Sequence, residues 1–303
     1  APPRPPSRLP AAALVALALA PAAARADRCA DLLAKLGGAL ASPVCFESAD
    51  LTTNGPQTTP ANNFDPSLPA GAITPVTDRG VISPTPPDRT PITAAVPGIQ
   101  LQGRLADDPT GQARFLLRLP DGWNGRLVVA GASGNRSEFN GDFAWSDYVV
   151  QKGYAYASQN KGMLNLFVTT AADPLGCRLN PRPLSQVFVH FYVNDREKSF
   201  TDWQSRIAQA ARLARDGVKA RYGHHPRHTF AVGTSNGGYQ VRRAVEEAPD
   251  LFDGGVDWEG TFVDPGPHNL LVQLPAALSE FPAYAASGYD QDSAAARAIR
   301  EAG

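Results

Sequence analysis

Between residues 126 and 258 the chain alternates short apolar runs with stretches of helical spacing, and glycines mark most of the crossings. Arg126-Leu-Val-Val-Ala130 is apolar without alternation, as suits a strand buried on both faces, and it runs into Gly131-Ala-Ser-Gly134. Ser146 to Lys152 reads as a helix, and Gly153 to Ser158 as the next strand. A long helix begins at Thr201, with Gln204 three residues on as a capping box. Trp203, Ile207, Ala210, Ala214 and Val218 fall on one face of it, and Tyr222-Gly223 is its stop. His228 to Gly233 is a strand, Asn236 to Glu247 a helix, and Gly254 to Trp258 another strand. Strands joined through helices argue an α/β domain with a mostly parallel sheet. Two further strands, 99–105 and 113–119, precede it around the turn signal Asp107-Asp108-Pro-Thr-Gly111.

The region ahead of this pattern is different. Of 28 prolines, 17 lie before residue 98, and 42–97 shows no sustained period, so it reads as a loop-rich lead. Arg4 and Arg8, the apolar run Leu9 to Ala20 and the exit Ala24-Arg25-Ala26 describe a secretory signal peptide cleaved after Ala26. That run is too short for a membrane span, so the expectation is a secreted or periplasmic protein with no membrane partner after cleavage. Such compartments permit disulfides, and the cysteines are Cys29, Cys45 and Cys177. Joining Cys29 to Cys45 closes the shortest loop and leaves Cys177 odd; the pairing stays open at this level. With 28 Lys+Arg against 29 Asp+Glu there is no basic excess, which argues against a nucleic-acid partner. The expected division is a signal peptide over 1–26, a Pro/Thr-rich extended lead over 27–97, a core over 98–265, and the start of a lid or insertion over 266–303.

Gly233-Thr-Ser-Asn-Gly237 fits G-x-S-x-G, and it stands between a strand and a helix. That context makes it a candidate nucleophile elbow, in which Ser235 is held on a sharp turn at the carboxyl end of the sheet. Glycines on either side leave room for such a turn. The N–H of Asn236 is then one candidate oxyanion donor. The second is expected from Gly131–Gly134, from Ala132 or Ser133, between which the sequence does not choose.

Trp123-Asn-Gly-Arg126, Tyr222-Gly223 and Pro249-Asp-Leu-Phe-Asp-Gly254 resemble the tannase/feruloyl esterase family, a secreted branch of the α/β-hydrolases. Ser235-Asn-Gly-Gly238 is similar to the nucleophile segment of secreted 3-hydroxybutyrate oligomer hydrolases. The resemblance spans roughly residues 110–265. It implies an α/β-hydrolase fold and a carboxylic-ester hydrolase acting on small-molecule or oligomeric esters without a cofactor. Tannase-type enzymes usually carry a cysteine where this chain has Thr234, so tannin specificity is not implied.

A serine nucleophile needs a histidine base and a carboxylate to orient it, in this fold in the order Ser, acid, His. His268 is the only histidine after Ser235, and Asp257 and Glu259 are the nearby candidates for the acid or the pocket wall. His224, His225 and His228 lie at the amino end of the elbow strand, away from Ser235, and are not expected to hold a metal. The fold calls for further strands after 258, so the expected reading is an esterase truncated within its lid, with an acid and a histidine beyond Gly303. The rival reading is a non-catalytic α/β-hydrolase-fold binding protein.

Overall fold

The structure is a computed structural model that describes residues 23–55, 91–134, 137–140, 143–163, 166–168, 187–189, 203–261 and 270–302. The elements are α1 (Ala23–Leu36), β1 (Leu40–Ser48), β2 (Gly98–Leu105), β3 (Arg114–Pro120), β4 (Arg126–Ala130), α2 (Phe143–Val150), β5 (Ala155–Gln159), β6 (Leu166–Val168) and β7 (Val187–Val189). They continue with α3 (Trp203–Tyr222), β8 (His228–Thr234), α4 (Asn236–Glu247), β9 (Gly254–Trp258), α5 (Leu270–Ala286) and α6 (Ala294–Ala302). Seven strands form one sheet in the order β1-β2-β3-β5-β4-β8-β9, and β6 pairs with β7 separately. The sheet is antiparallel from β1 to β5 and parallel from β5 through β4 and β8 to β9. Its parallel half carries the candidate elbow.

Period-2 alternation splits the apolar strands between two cores. Leu127 and Val129 of β4 and Ala231 of β8 join Leu101, Leu117, Ile207, Ala214 and Val218 on the face covered by α1, α3 and α4. Val128, Ala130 and Val232 point the other way, against Val149 and Val150 of α2. The alanine face of α3 lets it lie close to the sheet. A Cβ on its Gly217 would stand 2.5 Å from Leu117 Cδ2.

The lead begins as core. β1 pairs with β2 at the sheet edge, and the Cys29–Cys45 disulfide ties α1 to it. Cys177 lies outside the described residues. β1 contains Pro43, which cannot donate to a ladder; the register shifts between Ala41 and Val44, and Ser42 takes φ 51. An edge strand with a bulge tolerates such a proline, and that is why the segment does not read as a strand. Residues 1–22 and 56–90 lie outside the described residues, and with them most of the expected signal segment. Among the described residues no helix is long and apolar enough to cross a membrane.

Boundaries move modestly elsewhere. The expected helix from Ser146 starts at Phe143, and α3 is described from Trp203, with Thr201 outside the described residues. The Gln204 amide donates to Glu247 at 2.9 Å. The turn at 107–111 is present: Asp108 accepts from the N–H groups of Thr110, Gln112 and Ala113 and from the Thr110 hydroxyl. β9 is exposed along most of its length, and an open groove beside it is lined by Val128, Trp145, Tyr148, Phe230, Val232 and Val256. α5 packs on α6.

Candidate active site

Ser235 links the last residue of β8 to the first of α4 with φ 56 and ψ −122. No ordinary side chain adopts this backbone cheaply; such a residue costs about 1–3 kcal/mol and needs its surroundings to enforce it. Three backbone bonds do so. Ser235 N–H donates to Trp258 O at 3.0 Å, and its carbonyl accepts from Tyr239 and Thr261 N–H, each at 3.0 Å.

The flanking glycines are required by contact. A Cβ on Gly233 would lie 2.3 Å from Gly237 O, and one on Gly131 would lie 2.4 Å from the same atom. β8, the first turn of α4 and the loop after β4 therefore touch backbone to backbone. No side chain fits between them.

The loop after β4 is pinned at several points. Gly131 N–H donates to Val232 O at 2.8 Å, and the Ser133 hydroxyl donates to Thr234 O at 2.6 Å. Ala132 N–H donates to Gln240 Oε1 at 2.8 Å, so it is already engaged and not open to a substrate. No acceptor for Ser133 N–H or Asn236 N–H is found among the described residues. The Asn236 side chain accepts from the Thr261 hydroxyl at 2.8 Å, which leaves its N–H direction to the helix. Among the described residues these two N–H groups without an acceptor lie on the segments that meet at the Ser235 elbow, with the positive end of the α4 dipole behind one of them.

Among the described residues Ser235 Oγ has no hydrogen-bond partner. His268 lies outside the described residues. Asp257 is turned toward α4, with Oδ2 3.8 Å from Arg242 Nε and Oδ1 over Gly238 and Gly260. Glu259 is exposed at φ 55. Of the three histidines before the elbow, His228 pairs with Asp253 at 3.5 Å, and His224 lies against Trp123 at 5.1 Å between ring centroids with its Nδ1 3.0 Å from His225 O.

Two of the motifs behind the tannase/feruloyl esterase resemblance make scaffold rather than site. Trp123 stacks on Tyr222 at 4.2 Å between centroids, and the Tyr222 hydroxyl donates to Pro120 O at 2.7 Å. Burial pushes that hydroxyl's pKa upward. Asn124 donates to Lys152 O at 2.7 Å.

Three polar residues around the loop escaped sequence reading. Gln240 is fully buried and also donates to Trp203 O at 2.7 Å. Gln159, 1% exposed, donates to Ala130 O and to Gln240 Oε1, each at 3.2 Å. Lys161, 2% exposed, reaches the carbonyls of residues 132–134. Gln240 had one visible signal: it falls on the apolar stripe of α4 with Gly237, Val241 and Ala244. A polar residue on a core stripe has to be hydrogen-bonded.

No protein-family model matches the chain, and no curated protein matches it. Solved structures similar to it include an esterase from Aspergillus oryzae, 18% identical with a TM-score of 0.42. Feruloyl esterase B from the same organism is 19% identical with a TM-score of 0.38, and tannin acyl hydrolase from Aspergillus niger is 13% identical with a TM-score of 0.38. Between 61% and 63% of this chain is covered, against only 31–32% of each of those chains. With such scores, assignment to the α/β-hydrolase fold rests on this chain's own features: the mixed open sheet, its helices on both faces, and Ser235 on the strand-to-helix turn.

Proposed function

We propose that this protein is a serine hydrolase that cleaves carboxylic esters through an acyl-enzyme on Ser235. The observation that carries the proposal is the Ser235 backbone at φ 56 and ψ −122, on a turn between β8 and α4. A fold keeps a strained serine there only if the surroundings hold it, and strain of this kind gathers at reacting centres.

In the proposed reaction Ser235 Oγ attacks the ester carbonyl carbon while its proton passes to a histidine. The carbonyl oxygen becomes an oxyanion held by the N–H groups of Asn236 and Ser133. Collapse expels the alcohol, which takes the proton from the histidine. Water, deprotonated by the same histidine, then attacks the acyl-enzyme and releases the acid. The histidine is one outside the described residues. The substrates proposed are aromatic esters or hydroxyalkanoate oligomers, with no cofactor required, and the protein works outside the cytoplasm. The Cys29–Cys45 disulfide supports that last point, because such bonds persist in oxidising compartments.

The test is turnover of p-nitrophenyl esters by the full-length protein. Ser235→Ala should abolish it to within background. Turnover that survives the substitution removes Ser235 from its role, and a folded protein with no turnover of any ester favours a binding function.

A further inference from the structure

We infer that Lys161 is a positioning residue that sets the direction of the Ser133 N–H, and so builds the oxyanion site from beneath. The inference rests on the esterase reading above. The Lys161 Nζ lies 3.0 Å from Ala132 O, 3.5 Å from Ser133 O and 2.6 Å from Gly134 O, against the Trp203 ring at 5.5 Å from its centroid. Three successive carbonyls of one loop therefore turn toward a single ammonium group.

Peptide geometry gives this contact its consequence. In a trans peptide the C=O and N–H of one unit point in opposite directions. The unit joining Ala132 to Ser133 aims its carbonyl at Lys161, so its N–H, that of Ser133, must point away from Lys161. The preceding unit is fixed in the other sense, since Ala132 N–H donates to Gln240 Oε1 at 2.8 Å. Lys161 and Gln240 thus hold adjacent peptide units from two sides. Without the ammonium, the 132–133 unit can rotate and present its carbonyl where the N–H stood. A developing oxyanion would then meet the negative end of the dipole.

The lysine is itself held at some cost. Its side chain is buried at 2% exposure and its backbone takes φ 64, which a β-carbon disfavours. Its N–H donates to Gln159 Oε1 at 2.5 Å, and Gly162 N–H donates to Asn160 Oδ1 at 3.2 Å. Burying an ammonium is expensive, and an apolar side chain would fill the space more cheaply. The carbonyl bonds are what only a cation with several donors supplies.

The test compares Lys161→Met and Lys161→Gln with the parent in the full-length protein, with Ser235→Ala alongside. Loss of one oxyanion donor costs about 100-fold or more in kcat. Lys161→Met should lower kcat by about that factor with KM within about threefold, and weaken a boronate transition-state analogue in parallel. Lys161→Gln, which keeps an amide donor, should fall between and serves if the Met variant does not fold. Amide exchange over residues 131–134 should quicken in both. Parental kcat together with parental exchange would overturn the inference. If Ser235→Ala retains turnover, the esterase reading fails separately, and exchange over 131–134 still decides whether Lys161 holds the loop.

Discussion

Replacing Gly131 by alanine should damage both catalysis and stability, because of where the added carbon lands. A Cβ at Gly131 would lie 2.4 Å from Gly237 O, 2.7 Å from Gly237 Cα and 2.9 Å from Gly237 C. Ordinary contact begins near 3.4 Å, so the two segments must part by roughly 1 Å, and all three obstacles are backbone. Overpacking of this size costs about 1–3 kcal/mol, a fall of roughly 2–12 °C in Tm for a domain of this length. The catalytic loss is comparable in free energy, about 2.7 kcal/mol for a 100-fold fall in rate. The same movement separates the Ser133 N–H from Ser235, and a 1 Å misplacement at a reacting centre can cost about 100-fold. The assay is ester turnover beside a thermal melt, with Gly122→Ala as control, since a Cβ there would meet nothing within 4 Å. Gly131→Ala with parental kcat would refute the claim that the loop and the elbow form one rigid site.

Two further outcomes are expected. Asp108 combines burial, which alone would raise its pKa, with hydrogen bonds from Ala113, Thr110 and Gln112 that outweigh it and hold the carboxyl below its ordinary value. Its stabilisation is therefore complete above the unfolded value of about 3.9 and is lost as pH falls through the lower folded value. Asp108→Asn should lower stability by about 1–3 kcal/mol at neutral pH, and chemical denaturation should show the gap closing below about pH 4. Removing the Cys29–Cys45 bond, which spans a sequence separation of 16, should cost about 3 kcal/mol; a double Cys29→Ser, Cys45→Ser variant with an unchanged denaturation midpoint would contradict this.

Much of the sheet was legible because its strands are short apolar runs whose two faces are both buried. Leu127 and Val129 on one side and Val128 and Ala130 on the other make that plain. β1 was not legible: Pro43 and Ser42 read as loop, and only pairing with β2 and the disulfide to α1 make a strand of it. At the candidate site Ser235 and Asn236 could be placed from G-x-S-x-G because the motif is a backbone geometry written in glycines. The choice between Ala132 and Ser133 could not. It depends on Gln240, which reaches Ala132 from 108 residues away in sequence, and on Lys161, which reaches Ala132 O from 29. Such contacts leave no periodic signal. Trp123 and Tyr222 show the reverse: conspicuous in sequence, they stack on each other as scaffold.

The central claim is that the strained Ser235 is a nucleophile, and covalent trapping tests it most directly. The full-length protein would be treated with an aryl fluorophosphonate and the modified side chain located by peptide mass spectrometry. The account predicts a single adduct, on Ser235, that disappears in Ser235→Ala. An adduct on another side chain, or ester turnover with Ser235 unmodified, would contradict it.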